Sequence, residues 1–258
     1  VWDYYAAHGR NDLPWRQPEP DGSFDPYKIL VSEVMLQQTQ VSRVIPKFRA
    51  FVTAFPTIDA LAAAPLAEPL RLWSGLGYNR RAKFLWQAAQ QAAKGLPKDS
   101  QALRQLSGIG PNTAGAILAY AYNQPAVFIE TNIRTVFMHH FFSGQQDVRD
   151  AVIADVVARS LPDNPRAWYW ALMDYGTHLK QTVGNLNVAS AHYVKQSPFE
   201  GSRRQIRGQL LRLLGTGSRT KDQLAAVIPD EHLVDVLKDL TGEGLIQKQG
   251  SFYTIGTE

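Results

Sequence analysis

The chain has 258 residues, enough for one large domain or two modest ones. Apolar residues make up 45% and charged residues 19%, and the net charge of +4 permits a polyanionic partner without requiring one. Cysteine is absent, which excludes disulfides, thiolate metal sites and cysteine-held iron–sulfur clusters; the longest apolar runs are too short to span a bilayer, and no signal-peptide pattern opens the chain.

Trp2 to His8 reads as a short aromatic helix closed by Gly9, and Leu13-Pro-Trp-Arg16 follows. Residues 17–25 form a polar, proline-rich loop. Pro26 then opens a helix predicted over Tyr27 to Gln40, in which Glu33 sits among Val31, Val34 and Met35. A carboxyl in apolar surroundings is hard to ionise, so its pKa rises and it can serve as an acid near neutral pH. The commoner alternative is a solvated helix glutamate. Gln37, Gln38, Thr39 and Gln40 suit either a helix end reaching water or an uncharged wedge into a base stack. Helices are predicted over Val44–Phe55, Ile58–Ala63 and Pro65–Leu72, before the glycine turn Trp73-Ser-Gly-Leu-Gly-Tyr78. Arg80, Arg81 and Lys83 follow, mixed with Tyr78, Phe84 and Trp86. That mixture fits a nucleic-acid backbone with a base nearby, or equally a solvated basic helix start. A helix over Phe84–Ala93 and another capped by Asp99 or Ser100 lead to Leu106.

Gly108-Ile109-Gly110 then makes a tight turn into a helix over Asn112–Tyr122. Glycines there let the backbone approach something closely, and the N–H groups of a helix start suit a phosphate. An ordinary αα-hairpin is the alternative. The apolar run Ala126–Ile129 leads to Glu130-Thr-Asn132 and a helix over Ile133–Phe142. His139 and His140 are adjacent, point to different faces and make a poor metal pair. Helices follow over Val148–Ser160 and Pro165–Leu179, the second rich in aromatics, and residues 180–199 read as a loop. Near Pro198 the composition shifts. Arg203, Arg204, Arg207 and Arg212 load an amphipathic helix, and two more short helices and a hairpin over residues 245–255 complete a winged-helix pattern, which serves DNA or protein contacts.

Leu13-Pro-Trp-Arg16, Ser32-Glu-Val-Met-Leu-Gln-Gln-Thr39, Trp73-x-Gly-Leu-Gly-Tyr78, Leu106-x-Gly-Ile-Gly-x-x-Thr-Ala114 and Ala171-Leu-Met-Asp-x-Gly176 occur in this order. Together they resemble the MutY branch of the helix-hairpin-helix DNA glycosylases, over residues 1–197. The resemblance implies an all-α, two-lobed fold with the active site between lobes, one lobe of about residues 26–132 and another of 1–25 plus 133–197, followed by a winged-helix-like domain at 198–258. It implies hydrolysis of a base–sugar bond in duplex DNA carrying a mispaired or damaged base. By that resemblance Glu33 protonates the departing base and Glu130 is the second carboxylate, with Asn112 beside them in the catalytic set. Gln38, Thr39 and Tyr78 enter or border the base stack. Arg80, Arg81 and the hairpin residues Gly108, Gly110, Asn112 and Thr113 hold the strand. Trp15, Arg16, Leu36 and Asn132 line the base pocket. A buried base must be flipped out before chemistry, and its departure needs a proton and a carboxylate facing the positive sugar.

Four departures stand out. Glu130-Thr-Asn132 replaces the family's Asp-Gly-Asn. Asn112 stands where bifunctional relatives carry Lys, so no Schiff-base strand cleavage is expected. Lys180, Asn187, Ser190 and Gln196 occupy the C-x6-C-x2-C-x5-C spacing of the family's iron–sulfur cluster, so no cofactor and no metal are expected. The family's 8-oxoguanine-reading domain is not expected, because the winged-helix pattern at 198–258 stands in its place. The first expectation is a monofunctional glycosylase for adenine opposite 8-oxoguanine. The second is a glycosylase for another mispaired, deaminated or alkylated base, and the third a non-catalytic lesion-binding protein. A monomer without membrane contact, in a bacterial cytoplasm or nucleoid, is expected.

Overall fold

The structure is a computed structural model that describes residues 1–93, 95–195 and 198–256. From the N-terminus, α1 (Trp2–His8) and a 3-10 turn (Pro14–Arg16) precede α2 (Pro26–Leu36). Then come α3 (Val41–Ala54), α4 (Ile58–Ala63), α5 (Ala67–Trp73) and α6 (Arg80–Gln91). The glycine hairpin joins α7 (Ser100–Leu103) to α8 (Pro111–Tyr122). Helices α9 (Thr131–Phe141), α10 (Asp150–Arg159) and α11 (Pro165–Thr182) follow, then a 3-10 turn at Leu186–Ala189. Several starts are dictated locally. The Thr57 side chain accepts from the Ala60 N–H, Asp99 from Ala102 and Asn164 from Ala167, each closing one orphan donor of a first turn.

The last 54 described residues form α12 (Arg203–Leu214), β1 (Arg219–Thr220), α13 (Lys221–Val227), α14 (Leu233–Gly242), β2 (Ile246–Gln249) and β3 (Phe252–Ile255). The antiparallel sheet has the order β1-β3-β2, with Ile246 opposite Ile255. Thr220 and Gln223 close a capping box at α13. This is a winged-helix-like arrangement in an otherwise all-α chain. Strand β1 was not expected, because two residues are too few to show alternation.

The chain packs as two units. The first holds Val1–Glu33, Leu96–Gln105 and Ile109–Lys195; the second holds Val34–Gly95, Leu106–Gly108 and Gln196–Glu258. This differs from the lobes expected at 26–132 and 1–25 plus 133–197. Residues 109–132 lie in the first unit because their aromatic side chains pack on α11. Phe128 lies 4.1 Å from Tyr169 between ring centroids, and Tyr120 stacks on Trp170. The C-terminal module is likewise no separate unit: α12 packs against α5 within the second.

Two glycines seat the chain on either side of Glu130. A Cβ at Gly115 of α8 would come within 2.9 Å of Phe128, and one at Gly176 of α11 within 2.3 Å of the Asn132 carbonyl oxygen. Gly176 thus lets α9 lie directly on α11, which explains the glycine of the Ala-Leu-Met-Asp-x-Gly motif. Helix α2 ends at Leu36 rather than Gln40, since Gln38 adopts a left-handed φ of 52° that no helix continues through.

Candidate active site

Within the first unit, Glu33 lies on α2 and Glu130 is the N-cap of α9. The two acids therefore belong to one unit. Both are half-buried. The Glu33 carboxyl is pushed up to about 8, chiefly by burial and then by the Glu130 charge, with the Arg16 cation opposing both. Enough protein crowds the carboxyl that desolvation dominates even though a window to solvent remains. Glu130 is also raised by burial, but Arg134 and the Thr131 amide pull it back down. Glu130 thus ionises first, while Glu33 is still neutral; its charge is then what Glu33 feels. Of the two, Glu33 is the one held protonated up to about pH 8, and the Glu130 charge is one of the causes.

Arg16 is buried, and its guanidinium grips Asp174 of α11 in a bidentate pair at 2.8 and 2.9 Å. Arg10 donates to the same carboxylate from its backbone N–H and its Nε, both at 2.8 Å. Among the described residues, the Arg16 Nε is one of two buried side-chain polar atoms without a hydrogen-bond partner; the other is Trp168 Nε1. Trp15 is buried beside it in the chain, and Arg16 lies 5.3 Å from the Trp170 ring centroid. Tyr120, buried, has its phenol pushed upward by burial first and then by Glu33. Asp174 and Tyr120 were absent from the expected site. Only the motif around residue 174 hinted at the first, and nothing marked the second within an apolar helix.

Asn112 is tied to the stretch of chain before Glu130. Its side-chain amide donates to the Ile129 carbonyl at 3.0 Å and accepts from the Ile129 N–H at 3.4 Å. It thereby braces the residue before Glu130. Arg134, one turn into α9, makes a bidentate pair with Asp150 at 2.8 and 2.7 Å and lowers the Glu130 pKa. Asn132 lies in the first turn of α9, its backbone against Gly176.

In the second unit, Gln37, Gln38, Tyr78, Arg80 and Arg81 line a recess of about 220 Å³. Gln38 and Tyr78 are both exposed and both left-handed, with φ of 52° and 46°. Non-glycine residues in that region are strained, so the surrounding structure must hold them there. Arg81 does so. It is buried and donates to the carbonyls of Val34 at 2.6 Å, Gln37 at 2.6 Å and Gly77 at 3.1 Å, and to Thr39 Oγ1 at 3.1 Å. Burial draws its pKa down to about 10. Arg81, with Thr39, is therefore a strut of the turns. Arg80 is exposed, 5.1 Å from the Phe84 ring centroid, and Leu36 ends α2 half-buried.

The glycines of the hairpin are unequal. Gly108, in the second unit, has φ of 75°, and a Cβ there would strike Phe84 at 2.6 Å. Gly110, in the first unit, caps α8 with ordinary φ, and a Cβ there would meet nothing within 4 Å. Thr113 is buried in the first turn. Gly108→Ala is expected to lower the unfolding midpoint, by about 1–3 kcal/mol of stability from strain and overpacking. Gly110→Ala is expected to leave the melting curve nearly unchanged and to weaken duplex binding. Thermal melts alongside binding titrations would check this, and an equal stability loss in both variants would refute the distinction.

The loop after α11 does not fit an iron–sulfur cluster, because no thiolate is available in the chain. Asn187 is buried and donates to Thr135 Oγ1 at 2.8 Å, while Val148 bridges to the Ala189–Ala191 backbone at 3.1 and 3.0 Å. Lys180 lies in the last turn of α11 and Ser190 Oγ accepts from the His192 N–H; Gln196 lies outside the described residues. Among the described residues no cluster of three or more His, Cys, Asp or Glu could hold a metal, and no helix is long and apolar enough to cross a membrane.

A model of the HhH-GPD superfamily of base excision DNA repair proteins matches residues 31–157. An adenine DNA glycosylase of Mycolicibacterium smegmatis is 36% identical, over 92% of this chain and 91% of the relative. One from Mycobacterium tuberculosis is 42% identical over 52% of this chain, a match that spans 43% of that relative's length. Among solved structures, a thermostable thymine-DNA glycosylase superposes with a TM-score of 0.57 at 22% identity, over 67% of this chain and 81% of that one, a likeness of fold.

Proposed function

The chain belongs to the HhH-GPD superfamily of base excision DNA repair proteins, in its MutY-type adenine glycosylase branch, and on that premise we propose that this DNA glycosylase excises adenine opposite 8-oxoguanine by hydrolysis alone. The observation that carries the reading is the placement of two half-buried acids in one unit, Glu33 on α2 and Glu130 at the N-cap of α9, with burial pushing Glu33 up to about 8 and Arg134 opposing the rise at Glu130. In the proposed reaction Glu33 gives its proton to a ring nitrogen of the flipped base. The C–N bond breaks with its electron pair leaving on the base, and the Glu130 carboxylate faces the positive charge on the sugar. Water adds to the anomeric carbon, and its surplus proton returns to a carboxylate. The buried, unpartnered Arg16 Nε supplies a donor for the base. Asn112 offers no amine, and its amide is engaged with Ile129, which supports hydrolysis without strand cleavage. The enzyme works as a monomer without a cofactor in this reading. Gln38 and Tyr78, on their braced turns, fill the stack that the base leaves.

A panel of duplexes with mispaired, deaminated, alkylated and oxidised bases tests the proposal. Adenine opposite 8-oxoguanine is expected to give an alkali-labile abasic site, with no borohydride-trapped adduct. Glu130→Gln is expected to slow release by about 10²–10³-fold, the usual loss for one electrostatic stabiliser. It should also move the alkaline limb of the rate profile to lower pH, because a charge that raises the Glu33 pKa is gone. Preferential release of another base would overturn the adenine assignment.

A further inference from the structure

We propose that Arg204, carried by the C-terminal module, is a positioning residue that sets the tilt of the Tyr78 wedge and so tunes which opposite base the enzyme accepts. This rests on the glycosylase reading and extends it to the strand that is not cut. Arg204 and Tyr78 lie in the same packed unit, 126 residues apart in sequence. The Arg204 Nη1 donates to the Tyr78 hydroxyl at 3.0 Å, and its guanidinium carbon stands 5.9 Å from the ring centroid. Its Nη2 donates to the Pro198 carbonyl at 3.2 Å, which ties the guanidinium to the chain entering the module. The neighbouring arginines of α12 are engaged elsewhere: Arg203 with Asp239 at 2.7 Å and Arg207 with Glu243.

The module is also fastened to the helix that begins just after the wedge. Lys83 of α6 donates its Nζ to the Glu243 carbonyl at 2.7 Å. Gly244 has φ of 63°, and a Cβ there would come 2.5 Å from that Nζ. The ring of Tyr78 is thus set from two directions: Arg81 lies 5.6 Å from its centroid on the first half of the unit, and Arg204 reaches it from the module. A side chain that takes the place of a flipped nucleotide lies against the base left behind. Stacking depends on ring orientation, so the residue holding the hydroxyl governs how well each widowed base is covered.

The test uses the full chain and duplexes with a tetrahydrofuran abasic site opposite guanine, 8-oxoguanine, cytosine or adenine. Dissociation constants are measured for the wild type, Arg204→Ala, Arg204→Lys and Tyr78→Phe, with base release assayed in parallel. Arg204→Ala is expected to compress the spread of affinities among opposite bases by about tenfold, the scale of one stacking contact. Tyr78→Phe, which breaks the same hydroxyl bond, should reproduce most of that change, and Arg204→Lys should restore part of it. The proposal is overturned if Arg204→Ala weakens every duplex equally, as a plain phosphate contact would, or if the wild type does not distinguish opposite bases. Wild-type chain that releases no base would instead overturn the glycosylase reading, and the abasic-duplex series would still decide the part played by Arg204.

Discussion

Glu33→Gln is expected to slow base release by about 10²–10⁴-fold, the range for removing a general acid, while binding to an abasic duplex persists. Burial holds the wild-type carboxyl protonated up to about pH 8. Single-turnover release should therefore decline above that pH as Glu33 ionises, and fall also on the acid side as Glu130 takes up its proton. The same shift governs stability. Glu33 is raised from 4.5 to about 8 in the folded chain, so the folded state binds the proton more tightly than the unfolded one. Its contribution is fully present below the unfolded value and is lost as pH rises through the folded one, with a slope of at most about 1.4 kcal/mol per pH unit. Gln cannot ionise, so the variant should unfold with a flatter pH dependence over that window. Release that survives the substitution, or that climbs through pH 8, would remove Glu33 from the acid's role.

Asp174→Asn should produce the largest stability loss, about 3–5 kcal/mol, because it leaves the buried Arg16 guanidinium without its counter-charge. Burial alone would raise the Asp174 pKa, but hydrogen bonds and charge from Arg16, and then Arg10, outweigh it and hold the carboxyl below its usual range. Its contribution is therefore present above the unfolded carboxylate value and disappears as pH falls through the lower, folded one. Urea titrations at neutral pH would measure the loss. A second readout separates this from general damage. Arg16 also lowers the Glu33 pKa, and without Asp174 to neutralise it that pull should strengthen. The alkaline limb of base release should then shift to lower pH in Asp174→Asn. An unchanged unfolding midpoint would show that the pair is dispensable.

Much of this site was legible before any coordinates. Val31, Val34 and Met35 around Glu33 made a carboxyl that resists ionisation one of two readings, beside a solvated glutamate, and burial is the largest cause of its upward shift. Helix starts at Thr57, Asp99 and Thr220 follow from side chains that bond within three residues, which a linear reading can see. Arg81 misled because a run of basic residues beside aromatics carries no sign of which guanidinium is turned inward. Its partners Val34, Gln37 and Gly77 are backbone carbonyls, and every residue offers one.

The helical class, the glycine elbow, the acid among apolar neighbours and the lack of thiolates can all be read along the chain, since each is a property of residue type and spacing within one element. Only the folded chain reveals that Asp174 secures Arg16 across 158 residues, that Asn112 braces Ile129, and that Arg204 meets Tyr78. The reason is physical. Periodicity records which face of an element is apolar, whereas a charge pair or a close approach such as Gly176 on Asn132 depends on how separate elements are brought together.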